Sequence, residues 1–241
     1  MAVFDVIDWG SRPYLEGYGG QKDLLNARLG GEIRDTLVLV EHTPVFTIGR
    51  QGSRDNILVS DTFLKEKGID VLEIERGGDV TYHGPGQLVG YPIFHLPVGK
   101  RDVKRFFREL EQVIIRTCRR FAVPAVTIEG LTGVWAGTEA TDGTHLGTWQ
   151  DEKKIASIGL AFKKWTSYHG IALNVCGDLE PFSYMHLCGL KGKEAISLTE
   201  AAGKEIVLEQ VKPVFVEEMR KMWSDLCEPS QLQNKNEKRS L

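Results

Sequence analysis

Cysteine is scarce in this chain, and long apolar runs and a basic excess are missing altogether. The 4 cysteines among 241 residues, at positions 118, 176, 188 and 227, have neither a Cys-x-x-Cys spacing nor the density of a disulfide-stapled scaffold, so reduced thiols are expected. Cys176, His186 and Cys188 match no common structural zinc spacing, and no metal is expected. No apolar run reaches the roughly 18 residues of a membrane span. The opening Met-Ala-Val-Phe-Asp-Val lacks the basic and apolar regions of a secretion signal. These absences lead us to expect a cytoplasmic protein that does not engage membranes. A formal net charge of -3 argues against a nucleic-acid partner. The chain contains no internal repeat, low-complexity tract or evident linker.

What is present is ordinary for a soluble globular protein, with 41% hydrophobic and 26% charged residues. We expect one domain over residues 1–228 and a polar tail over 229–241. Patterning predicts strands at 3–7, 36–41, 45–48, 70–74, 88–96 and 125–128, and another starting at 133. A glycine-weakened helix is expected over 14–33, and a short one over 63–68. Asp102 is placed to cap a helix to 121, with Val103, Phe106, Phe107, Leu110, Val113, Ile114, Thr117 and Phe121 at helical spacing. Its other face carries Arg101, Lys104, Arg105, Arg108, Arg116, Arg119 and Arg120, either a solvated face or a surface for an acidic partner. Residues 154–162 and 168–175 read as an antiparallel pair, with Lys154 opening the first strand. Ser197-x-x-Glu200 has the form of a capping box before an apolar-striped closing helix. The result is an α+β (α/β) fold, a mixed central sheet flanked by helices.

The densest chemical signal is Arg76-Gly77-Gly78-Asp79-Val80-Thr81-Tyr82-His83-Gly84-Pro85-Gly86-Gln87. Four glycines in twelve residues permit positive φ and close backbone approach to a ligand, expected here on turns between strands. Arg76 offers an anion partner and His83 a titratable ring. A plain glycine-rich hairpin is the alternative.

This stretch, continuing into Leu88-Val89-Gly90-Tyr91-Pro92, closely resembles the signature of the octanoyl-[acyl carrier protein]:protein octanoyltransferases of lipoate biosynthesis. Lys154-Ile155-Ala156-Ser157-Ile158-Gly159 and Tyr168-His169-Gly170-Ile171-Ala172-Leu173-Asn174-Val175, leading to Cys188-Gly189, resemble the same family in the same order. The resemblance implies the catalytic fold of biotin and lipoate protein ligases without their accessory domain, with a helical cap from about residue 189. It implies that Cys188 is the acyl-thioester nucleophile and Lys154 its partner. The implied substrate pocket comprises Arg76, Gly77, Gly78, Asp79, Val80, Thr81, Tyr82, His83, Ser157, Ile158, Gly159, Gly170, Ile171 and Ala172. Residues 138–150 are longer and more polar than the family's hairpin there.

A free thiol titrates near 8.5 and is mostly protonated at neutral pH, so a nucleophilic cysteine needs a cationic neighbour. Taken alone, Cys188 reads more readily as an inert packing thiol than as a nucleophile. The family's reaction takes the octanoyl group from octanoyl-acyl carrier protein onto cysteine. It then passes to a lysine of apo lipoyl domains, in 2-oxoacid dehydrogenase complexes or the glycine cleavage H protein, and no cofactor is implied. The rivals are an ATP-dependent lipoate or biotin ligase, an octanoyl amidotransferase, and a non-catalytic module that holds acylated proteins. His83 and His169 are candidates to polarise the acyl carbonyl or to hold the pantetheine or the lysine. A core histidine bonded to a neighbouring strand is the alternative for each.

Overall fold

In the computed structural model, the described residues are 3–139, 149–187 and 192–227. Strands β1 (Asp5–Arg12), β2 (Thr36–His42), β6 (Gln87–Ile93), β7 (Ala125–Val126), β8 (Val134–Glu139), β9 (Trp149–Lys163) and β10 (Thr166–Asn174) form a seven-stranded sheet in the order β1-β2-β6-β10-β9-β8-β7. β1 and β2 pair in parallel; the other neighbours are antiparallel. A second, three-stranded sheet is built from β4 (Asp70–Glu73), β3 (Val45–Ile48) and β5 (Val80–His83) in that order.

The second sheet corrects one expectation. The glycine-rich stretch is not only turns, because its Val80–His83 portion is the strand β5, antiparallel to β3. β2 and β3 follow each other in sequence yet belong to different sheets, the chain crossing over at Thr43 and Pro44.

Helices cover both faces of the large sheet. α3 (Val103–Arg120) starts where the Asp102 side chain accepts from the Arg105 backbone N–H at 2.9 Å. Its stripe buries Phe106, Leu110, Val113 and Ile114. Each fully buried side chain of this size contributes about 1.5–3 kcal/mol, so the stripe outweighs the cap. α5 (Leu208–Cys227) packs beside α3 through Phe215, Met219 and Trp223. Residues from 192 onward therefore complete the main core rather than form a cap apart from it. The capping box at Ser197 and Glu200 opens α4 (Leu198–Ala202).

α5 also answers part of the basic stripe on α3. Arg116 pairs with Glu218 at 2.9 Å and Arg120 with Glu217 at 3.5 Å, so these two arginines serve the helix–helix contact.

On the opposite face, α1 (Tyr14–Gly30) lies on β2, β6 and β10, burying Tyr14, Gln21 and Leu25. It holds its helix despite four glycines because packing, not propensity, stabilises it. Beside it the small sheet covers the remainder of this face. Its own core is built from Phe46, Val80, Tyr82 and Phe182, closed by α2 (Asp61–Glu66) and a 3-10 turn at Glu180–Tyr184. The β9–β10 hairpin turns at Lys164 and Trp165, both at positive φ (48° and 67°), although neither is glycine or asparagine.

Among the described residues, no helix is long and apolar enough to cross a membrane. Cys118 is buried in the main core, while Cys176 and Cys227 are exposed.

Candidate active site

Between the large sheet and the small one lies a partly open cleft. Its floor follows from register. Gly159 faces Gly170 across the β9–β10 ladder, Ser157 faces Ala172, and Ala172 faces Val89 on β6. Opposed residues share a face, so four minimal side chains leave a bare trough across two strands. Tyr14 and Tyr91 close one side, and Arg76, Gly78, Thr81 and His83 overhang from the signature stretch. Thr81 Oγ1 reaches Ser157 Oγ at 3.4 Å across the trough.

The signature loop is tied down on the trough's edge. The Gly77 N–H donates to the Leu160 carbonyl at 3.0 Å, and a Cβ on Gly159 would come within 2.9 Å of the Gly77 carbonyl. Glycine at 159 is thus required by close backbone approach.

Of the pocket residues implied by the resemblance, the cleft gathers Arg76, Gly78, Asp79, Val80, Thr81, His83, Ser157, Ile158, Gly159, Gly170, Ile171 and Ala172, with Lys154. Gly77 and Tyr82 do not line it. Strand alternation turns Tyr82 to the other face of β5, against Phe46 and Phe182 at 5.4 and 5.5 Å between ring centroids. Arg76 lines the cleft and is also bonded to the protein. It is 6% exposed and donates to Thr47 Oγ1 at 3.1 Å, the Thr47 carbonyl at 2.5 Å and the Gly77 carbonyl at 2.9 Å. Cys188 lies outside the described residues, as do Gly189 and the turn over 140–144.

Lys154 sits within β9, not at its start, because the strand begins at Trp149. It is 3% exposed. Its backbone N–H donates to the Glu194 carbonyl at 2.8 Å, and its carbonyl accepts from Ile196 at 3.0 Å. Nζ lies 5.6 Å from the Trp135 ring, a cation–π contact. Gly133, at φ 91°, leaves room for this side chain, because a Cβ there would fall 2.8 Å from Lys154 Cε.

Two histidines, His42 and the sequence candidate His169, surround the far side with two tyrosines to which the sequence assigned no role. His42 Nδ1 lies 3.0 Å from the Arg12 carbonyl, which can only accept, so Nδ1 carries the hydrogen and Nε2 accepts from the Tyr91 hydroxyl at 2.6 Å. Burial pushes His42 down to about 4. The same cause lowers His169 to about 4, with the nearby Arg76 and Arg50 opposing its charge and Glu75 favouring it. His169 is 1% exposed, has positive φ (56°), and finds no partner among the described residues for either ring nitrogen. Burial likewise raises the Tyr14 and Tyr91 phenols, which stay protonated. The signal for Tyr91 was present in the sequence, since alternation from Gln87 puts 87, 89 and 91 on one face. Tyr14 and His42 join through topology alone.

A bare trough thus runs between the two sheets, with the buried Lys154 at one end. The chain belongs to the family of lipoyl protein ligase A/B catalytic domains, whose profile matches residues 13–220. It is 47% identical over 204 residues to the octanoyltransferase of Caldicellulosiruptor bescii, covering 84% of this chain and 83% of that one. With the octanoyltransferase of Maridesulfovibrio salexigens it shares 41% over 221 residues, 92% of this chain and 97% of the other. The bipartite lipoate protein ligase of Thermoplasma acidophilum has the same fold, with TM-score 0.66 at 16% identity, covering 92% of this chain and 84% of that one.

Proposed function

We propose that this chain transfers an octanoyl group from octanoyl-acyl carrier protein, through a thioester on Cys188, to a lysine of an apo lipoyl domain. The acceptors would be lipoyl domains of 2-oxoacid dehydrogenase complexes or the glycine cleavage H protein. The observation that carries this reading is the trough floored by Ser157, Gly159, Gly170 and Ala172 with Lys154 at its end. The octanoyltransferases at 41% and 47% identity support octanoyl as the acyl group.

In the first step the Cys188 thiolate attacks the donor thioester and the carrier thiolate leaves. Lys154, as an ammonium, stabilises the attacking thiolate and supplies the leaving group's proton. In the second, the acceptor amine attacks the octanoyl-Cys188 carbonyl, the C–N bond forms and the C–S bond breaks. The amine's proton passes to Lys154 in its neutral form and then to the departing sulfur. The backbone of Lys154 is bonded to Glu194 and Ile196, just beyond Cys188 in sequence, which supports the pairing. No step consumes ATP.

The test is the intact mass of the protein after incubation with octanoyl-acyl carrier protein alone. An octanoyl adduct that apo lipoyl domain then removes, with no ATP present, is expected. An ATP requirement would replace this reading with a ligase.

The floor makes a second expectation. Ala172→Leu fills the trough, so octanoyl transfer should fall by about 1–3 kcal/mol of specificity relative to butanoyl transfer. Competition between octanoyl and butanoyl donors measures it; an unchanged preference would remove the acyl chain from this floor.

A further inference from the structure

The hydrogen-bond chain behind His83 fixes which of its nitrogens faces the cleft. Asn174 Nδ2 donates to the carbonyls of Ile196 at 3.2 Å and Lys154 at 3.5 Å. Carbonyls only accept, so Asn174 Oδ1 is the atom turned to Gln87. It accepts from Gln87 Nε2 at 2.9 Å, and the same nitrogen donates to the Tyr82 carbonyl at 3.2 Å. Gln87 Oε1 is therefore the atom 2.7 Å from His83 Nδ1, and Nδ1 must carry the hydrogen. Every member of this chain is buried: His83 is 6% exposed, Gln87 5% and Asn174 4%. Burial, with repulsion from His42 and Arg76, pushes His83 down to about 3, so it takes no second proton near neutral pH.

His83 lines the cleft with Nδ1 engaged, which leaves Nε2, bearing a lone pair, for a ligand. Two roles are thereby excluded. Nε2 has no hydrogen to give an acyl carbonyl, so His83 does not polarise it. Nor does the ring store a proton. What it can do is accept a hydrogen bond, and among the reacting groups the acceptor amine is the donor whose orientation decides the attack.

Resting on the octanoyl-Cys188 reading above, we propose that His83 is a catalytic residue of the second half-reaction. Its Nε2 accepts a hydrogen bond from the acceptor lysine's amine and aims the nitrogen lone pair at the octanoyl carbonyl. The C–N bond forms, the C–S bond breaks with its electrons on sulfur, and the released proton goes to Lys154 and on to sulfur; His83 ends unchanged.

The two amide isosteres of histidine separate this from a structural role. His83→Asn keeps a polar atom near Nδ1 for Gln87 but empties the Nε2 position. His83→Gln places an amide oxygen near Nε2. Octanoyl-enzyme is formed with octanoyl-acyl carrier protein, isolated, and followed by intact mass after adding apo lipoyl domain or hydroxylamine. For His83→Asn, acylation should stay within about threefold of wild type while deacylation by lipoyl domain falls on the order of 10²-fold. His83→Gln should recover about tenfold of that loss. Hydroxylamine, unprotonated near neutral pH and small, should deacylate both variants as it does wild type. Acylation slowed as much as deacylation would overturn the proposal and assign His83 to the donor's pantetheine N–H or to architecture. Unchanged deacylation would overturn it outright. If wild type forms no octanoyl-enzyme, the thioester reading itself fails and this proposal with it.

Discussion

Lys154→Ala should lower octanoyl transfer on the order of 10³-fold or more while the protein remains folded. Proton transfer by a positioned group contributes about 10²–10⁴-fold, and here the same amine is asked to act twice. The fold should survive because the backbone bonds of Lys154 to Glu194 and Ile196, and its place in the β8–β9 ladder, do not involve the side chain. A second readout isolates the charge. Alkylation of Cys188 by iodoacetamide across pH should show an inflection below the free-thiol value of about 8.5 in wild type, rising in Lys154→Ala. Catalysis should suffer more than alkylation, since the amine is needed again when the acceptor attacks. Cys188→Ser should form no octanoyl adduct, whereas Cys118→Ser, Cys176→Ser and Cys227→Ser should still form one. Cys118 is sealed in the core with its thiol pushed up to about 12 by burial, and it cannot substitute. An adduct mapping to any other cysteine would sink the mechanism.

Much of the site was legible because its pieces are local. The stretches at 76–83, 157–159 and 170–172 each carry their own glycines, and the β9–β10 hairpin that aligns two of them has plain strand alternation with a short turn. α3 was legible for the same reason, an uninterrupted apolar stripe behind Asp102. What could not be read was set by long-range topology. β5 is four residues between glycines, and nothing local says it leaves the main sheet to pair with β3. Tyr14 and His42 meet Tyr91 only because α1 lies across β2 and β6. Nothing near Arg76 in sequence says that Thr47, from another strand, takes its Nε and Nη2 donors. Tyr82 and His83 are sequence neighbours, yet alternation sends the tyrosine to the small sheet's core and the histidine to the cleft.

Those inward-facing histidines should make the fold acid-labile. His42, His83 and His169 are each held neutral by burial, with values lowered from 6.5 to about 4, 3 and 4. In the unfolded chain they take up protons as pH falls through 6.5, while in the folded chain they do so only near 4 or below. Between those limits the unfolded state binds more protons, so stability is fully present above about pH 6.5 and is lost as pH drops toward 4. One histidine lowered from 6.5 to about 4 represents on the order of 3 kcal/mol, a large share of the roughly 5–15 kcal/mol of a typical domain. Glu111, buried on α3 with its carboxyl raised by desolvation, acts in the opposite sense and offsets part of the loss. The melting temperature should therefore be level above about pH 7, then fall steeply from pH 6.5, before most carboxylates begin to titrate. A curve that stays flat to pH 5 would show that these rings take up protons in the fold as readily as in the unfolded chain, and so that burial does not hold them neutral.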